Sequence, residues 1–189
     1  MHPLGHVTFA CGAVWLGARL LDRARQGAVV PQPVAASAAQ ATPGEDAPRR
    51  SSIADAIDYR LVALGALLPD LIDKPLSWFL IDNGHTFGHT LLFALTILLP
   101  GLYLLVSRNE PRLLAVGVAV LSHLAGDPVT HAPGTLLWPL LGTSFAQVTL
   151  LGTRATIITE TAAGLILLCA AYWQHRRGRL DALLLDGRL

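Results

Sequence analysis

Charge is what this sequence has least of: Asp, Glu, Lys and Arg together make up 14% of its 189 residues, against roughly 25% in an average soluble domain. A soluble helical protein needs polar helix faces for water, and there are too few polar residues here to build them. Cysteine is almost missing as well. Cys11 and Cys169 both fall inside apolar segments, too few for a disulfide framework, which leaves them as buried, inert thiols. Nor is there a basic stripe interleaved with aromatics, and a net charge of +1 gives no reason to expect a nucleic-acid partner. No Lys or Arg precedes the first apolar run, so a cleavable signal peptide is not expected.

What the chain has instead is 52% hydrophobic residues, gathered into long runs. Leu91 to Ser107 and Ala155 to Trp173 approach the ~20 apolar residues that a bilayer span needs. Val7 to Leu21, Ile53 to Leu68 and Leu113 to Gly126 are shorter rods of the same kind. Together they predict an all-α fold, a polytopic membrane helical bundle of about five transmembrane helices in one domain. Residues 26–52, rich in Ala, Pro, Gln and Ser, read as a flexible cytoplasmic loop, and residues 174–189 as a cytoplasmic tail. Pro69 is expected to end the second rod. Lys74 to Asn83, with Trp78 and Phe79, suits a short helix at the membrane interface. Val129 to Gly152 is broken by Pro133, Gly134, Pro139 and Gly142 and reads as re-entrant or surface-lying.

Basic residues near helix ends set the sidedness. Arg19, Arg23, Arg25, Arg49, Arg50, Arg108, Arg112, Arg176, Arg177 and Arg179 all fall on one side, the cytoplasm, if five helices alternate. That leaves Lys74 and Arg154 outside. The same alternation brings His6, Asp70, Asp73, His85, His89, His123 and Asp127 to the outer face, although their positions never entered the charge count.

These seven residues are candidate metal ligands at helix ends. His85 and His89 are four apart, as are His123 and Asp127, a spacing that puts both members of a pair on one helix face. Imidazoles and carboxylates without thiolate suit a divalent metal of the Zn, Mn or Fe kind. Seven candidates exceed what one tetrahedral zinc takes, so one or two ions are expected. His85, His89, His123 and Asp127 are assigned as direct ligands, with Asp70, Asp73 and His6 completing or bridging the site. Asp73, in the freer stretch beyond Asp70, is the carboxylate assigned to orient water or act as general base, and Asp70 is the other catalytic candidate. Glu160 and His131 are secondary. Glu160 lies inside the last rod and must face the bundle and find a partner, while Pro128 breaks the register between Asp127 and His131.

Three stretches carry a family resemblance: Pro69-Asp70-Leu71-Ile72-Asp73, Gly84-His85-Thr86-Phe87-Gly88-His89-Thr90-Leu91, and Ser122-His123-Leu124-Ala125-Gly126-Asp127-Pro128-Val129-Thr130. With His6 and Leu137-Trp138-Pro139, they resemble the membrane-bound predicted metal-dependent hydrolases named for a LexA-regulated inner-membrane member. That family is in turn distantly similar to zinc-dependent phospholipase C. The resemblance implies a metal site among these His and Asp residues in a bacterial-type cytoplasmic membrane. The chain departs from the pattern after His85, where Thr86 and Phe87 stand in place of Arg and Gly. The expected activity is hydrolysis of a phosphoester of a lipid or lipid-linked substrate at the outer membrane–water interface. The competing expectation is a non-catalytic metal-binding or transport-related membrane protein.

Overall fold

The computed structural model describes residues 3–27, 52–76, 79, 85–127, 132–145 and 153–188. Among them every regular element is helical: α1 (Pro3–Gly27), α2 (Ile53–Ala56), α3 (Tyr59–Leu76), α4 (Leu91–Arg108), α5 (Arg112–Gly126), α6 (Pro133–Leu136) and α7 (Thr153–Arg176), then a π-type turn at Ala182–Asp186. Residues 28–51 of the expected loop lie outside the described residues, as do 128–131, 146–152 and most of the expected interfacial helix at 74–83.

Small side chains decide the packing. Ala10, Val14 and Ala18 recur every four residues, so they form one face of α1, and that face meets Tyr59, Val62 and Ala66 of α3 and Ala115 and Ala119 of α5. Close approach through Ala and Gly is how helices pair when lipid, which is as apolar as Leu, surrounds them. α4 and α5 pack as an antiparallel pair. Asn109 takes a left-handed conformation at the end of α4, and the N–H groups of Asn109 and Glu110 return to the carbonyls of Leu105 and Leu104, which closes the helix and reverses the chain. Farther along, Gly117 lies flush against α4: a Cβ there would be 2.8 Å from Leu98 Cα.

Large apolar side chains point outward instead. Phe9, Trp15 and Leu16 on α1, Leu99, Tyr103 and Val106 on α4, and Ile158, Leu165 and Leu168 on α7 are all exposed. Among the described residues three helices, Pro3–Gln26, Leu91–Arg108 and Ile157–Arg176, are long and apolar enough to cross a membrane. The other two expected spans fall short of that standard. α5 has 15 residues, about 22 Å of rise against a hydrocarbon core of ~30 Å, and α3 carries Arg60, Asp70, Asp73 and Lys74.

Pro69 does not end the second rod. The rod breaks earlier, at Ile57, which is extended, and restarts at α3, where the Asp58 carboxylate accepts from the Arg60 N–H at 2.9 Å. α3 then runs through Pro69 to Leu76. Proline removes one N–H from the helix, a loss that membrane helices tolerate. Asp70 and Asp73 consequently lie on one rigid helix, three residues apart and facing the same way.

The two ends of the bundle differ. At one end, Asp22 of α1 accepts from Ser52 and the Ile53 N–H at the start of α2. There too the Tyr59 N–H donates to the Gly187 carbonyl at 2.7 Å, so the described part of the expected tail packs on the start of α3. At the other end lie the N-terminus of α1, the last turns of α3, the start of α4 and the end of α5.

Since Gly117 touches α4 backbone, Gly117→Ala should cost about 1–3 kcal/mol as an overpacked contact. Gly12→Ala, which meets nothing within 4 Å, is the control. Thermal unfolding of both variants in detergent measures the difference, and equal melting of the two would remove this account of the α4–α5 crossing.

Candidate metal centre

Four segments converge at the second end. His6 comes from the first turn of α1, Asp70 and Asp73 from α3, His85 and His89 from the turn before α4, and His123 and Asp127 from the last turn and cap of α5. His6, Asp73, His85, His89, His123 and Asp127 are all buried.

His85 and His89 do not share a helix. Residues 85–86 form a bend and Phe87–His89 a single 3-10 turn, and α4 begins only after Thr90, whose side chain accepts from the Phe93 N–H at 3.0 Å. The cause is the Asp73 carboxylate. It accepts from the Thr86 N–H (2.6 Å), the Thr86 hydroxyl (2.9 Å), the Gly88 N–H (2.8 Å) and His89 Nδ1 (2.7 Å), donors that a regular helix would have turned away. The two rings meet nonetheless, centroids 4.5 Å apart. Gly88 is needed for this approach, since a Cβ there would stand 2.7 Å from the Pro69 carbonyl oxygen.

These bonds fix the tautomers. His89 Nδ1–H is given to Asp73, and His123 Nδ1–H to the Ala66 carbonyl at 2.6 Å, so each ring turns Nε2 inward. The two Nε2 atoms lie 3.2 Å apart. At that range either a proton on one of them, shared as a hydrogen bond, or a cation between them satisfies the pair. Ligands at 2.0–2.1 Å from a tetrahedral zinc are separated by about 3.3 Å, so the pair fits a shared ion. Around His89 Nε2 stand Asp127 Oδ2 at 3.3 Å and Asp70 Oδ1 at 3.7 Å, and His85 Nε2 donates to Asp127 Oδ2 at 3.0 Å. Two ligand sets emerge, Asp70 with His89 and His123, and His85 with His89 and Asp127, each with its atoms within 4.8 Å of one another. His6 stacks on His123 at 3.7 Å between centroids and holds Nε2 3.9 Å from Asp127 Oδ1.

A model of the family described as YdjM inner membrane protein matches residues 1–185. The chain belongs to the YdjM inner membrane protein family. No curated protein and no solved structure matches it. Family membership accounts for the outward-facing apolar helices and associates the chain with a lipid bilayer. The YdjM description names no hydrolase and no phospholipase.

Six of the seven expected ligands therefore offer atoms to the centre of this YdjM-family bundle, and Asp73 supports them from behind. All of its acceptor capacity is taken by four donors, which leaves it the part of aiming His89 rather than that of a base. Glu160 stands apart from the ligands. Its oxygens accept from the Leu4 and Gly5 N–H groups at 3.1 and 2.9 Å, so it caps α1 in the same first turn that carries His6, where the helix dipole favours a carboxylate. The expected partner for Glu160 is thus a helix terminus. His131 lies outside the described residues. Three contributors escaped sequence reasoning: the Ala66 carbonyl, which has no sequence signature, and Thr86 and Gly88, which sit in the motif but carry no ligand atom. Thr86 departs from the resembled pattern, yet both of its donors are used.

Electrostatics follow from this packing. Burial opposes a charge on His89, but hydrogen bonds to Asp127 and Asp73 outweigh it and raise its pKa to about 9. Burial likewise opposes charge on Asp127, and the imidazoles of His85 and His89 hold it well below the usual carboxylate range despite that. Below about pH 9 the metal-free site thus holds a proton on His89 that an incoming ion must displace. Metal affinity is expected to rise by about tenfold per pH unit as pH climbs from 6.5 toward that value, which titration of the purified protein with zinc at several pH values measures. A flat profile would refute it. Asp73→Asn should weaken metal binding by about 10–100-fold through misorientation of His89, read in the same titration. Unchanged affinity would show that His89 needs no such support.

Proposed function

We propose that the chain is a membrane-embedded, metal-dependent hydrolase of phosphoesters. The observation that carries this reading is the pair of inward-facing imidazole nitrogens, His89 and His123, 3.2 Å apart with carboxylate oxygens of Asp70 and Asp127 beside them. His89, His123 and Asp70 would hold one divalent ion, with His85, Asp127 and His6 around a second. When bound, such an ion would supply Lewis acidity toward an ester oxygen and acidify water, with zinc the best fit to this donor set.

The chain's own groups supply the rest. Asp73 and the Ala66 carbonyl lock the two rings. Asp70 is the carboxylate left open to a proton or an ion: its Oδ1 faces His89, and its Oδ2 is held by Lys74 at 3.1 Å. Lys74 is exposed and brings positive charge to the rim of the site, where a phosphate anion would approach. The structural contacts favour this site over a conduction path. Glu160, the carboxylate expected deep in the last helix, is used up in capping α1.

Five crossings, with α3 and α5 completing the set, are part of the same reading. Arg23, Arg25, Arg108, Arg112, Arg176 and Arg177 all lie at the helix ends opposite the ligands, so the positive-inside rule assigns the site to the extracytoplasmic side. The deciding experiment compares detergent-purified wild type with His89→Ala for metal content by elemental analysis, and for hydrolysis of a soluble phosphodiester and of phospholipid. Loss of bound metal together with at least a hundredfold loss of turnover is expected, since His89 stands in both ligand sets. Bound metal in the wild type with no turnover on any ester would leave a non-catalytic metal site.

A further inference from the structure

The stretch of residues 132–145, which lies between α5 and α7 in the chain, sits at the ligand-bearing end. α5 ends there at His123, and α7 begins there, tied to the first turn of α1 through Glu160. Within it, Thr135 is buried and Leu136 packs against Ala94, Val120 and Leu124, directly behind His123. Beyond Leu136 the character changes. Trp138 meets Phe87 edge-on at 6.0 Å between centroids and stacks on Phe145 at 5.6 Å, and Phe87 in turn meets Phe93 at 5.8 Å. Phe87 lies between His85 and His89 in the chain, so this aromatic cluster abuts the metal centre. Its outer surface is apolar and bare: Leu140 is 85% exposed, Leu141 60% and Phe87 41%.

We propose that Phe87, Trp138 and Phe145, with Leu140 and Leu141, form a membrane-docking platform that lies in the lipid headgroup layer beside the metal centre and receives the acyl chain of a lipid phosphoester. The substrate half of this proposal rests on the hydrolase reading above. Two observations choose lipid as the occupant. The first is continuity: the platform is joined at both ends to helices of an inner membrane protein, at the level where those helices end. The second is Trp138 itself, half-buried at the edge of that exposed apolar surface. Tryptophan favours the membrane–water interface, where its large ring enters the apolar boundary of the headgroup layer. A lipid held with its tail on the platform would present its headgroup to His85 and His89.

The test uses full-length protein in phospholipid vesicles. With Trp15, Trp78 and Trp173 replaced by Phe, the remaining Trp138 is read by fluorescence quenching with lipids brominated at defined acyl positions and with aqueous iodide. Quenching by the shallow bromines, and little by iodide, is expected. The double variant Leu140→Asp/Leu141→Asp should abolish that quenching while retaining bound metal, and should lower the ratio of phospholipid to soluble phosphodiester turnover at least tenfold. Trp138 quenched by iodide and untouched by brominated lipid would overturn the platform, as would an unchanged turnover ratio. If no ester is turned over at all, the hydrolase reading falls, and the bromine quenching still decides for or against the platform.

Discussion

A single buried carboxylate, Asp73, sets how the two halves of the site meet. Removing a charge from water costs several kcal/mol unless it is matched by donors, and here four donors converge on it from one short stretch, Thr86 to His89. Satisfying the carboxylate dictates the backbone of that stretch. The chain bends, makes one 3-10 turn, and enters α4 only at Leu91. It also dictates chemistry, because His89, having given Nδ1–H to Asp73, has only Nε2 left for the interior. Gly88 belongs to the same constraint, since a side chain there would collide with α3 before the donors could reach.

The bundle around this contact follows the logic of lipid solvation. Its interior is lined with Ala, Gly and Val, its exterior with Leu, Ile and aromatics, the reverse of a soluble protein. In such surroundings ionisable side chains collect at helix ends, where they can find partners or water, and a cluster built from four segments at one end gathers its imidazoles and carboxylates without placing them in the middle of a helix. Glu160 serves the same economy at one remove. It satisfies the free N–H groups of α1, groups that every helix start must account for, and in doing so ties α7 to the turn that carries His6.

Much of the site was legible in the sequence because ligand chemistry leaves a residue-type signature. His6, Asp70, His85, His89, His123 and Asp127 were recognisable as imidazoles and carboxylates at the ends of apolar runs, and the structure brings them together. What spacing could not convey was backbone conformation. The four-residue interval of His85 and His89 suggested a helix, but Asp73, twelve and sixteen positions away, holds that stretch as a turn. Pro69 suggested a helix end, yet α3 passes through it, with Val62 and Ala66 packed against α1 and α5 before it and the Asp73 carboxylate bonded to the Thr86–His89 stretch after it. Both differences arise from contacts distant in sequence, to which local propensity is blind. The role of Asp73 shifted for the same reason: its residue type fits a ligand or a base, and only its neighbours make it a support for His89.

The shared position of His89 also limits how the centre can be occupied. Both ligand sets include it, but an imidazole whose Nδ1–H is bound to Asp73 has one lone pair and serves one ion. A second ion must be held without it. Asp127 is the group placed to join the two positions, since a carboxylate keeps spare lone pairs on each oxygen and its Oδ2 lies 3.3 Å from His89 and 3.0 Å from His85. His123, pinned by the Ala66 carbonyl, stays with His89 and Asp70. His85 and His6 approach Asp127 from the other side, one at each oxygen. A binuclear centre in this fold would therefore be asymmetric, with one ion in a set held rigidly through Asp73 and Ala66, and the other beside the turn that leads to Phe87.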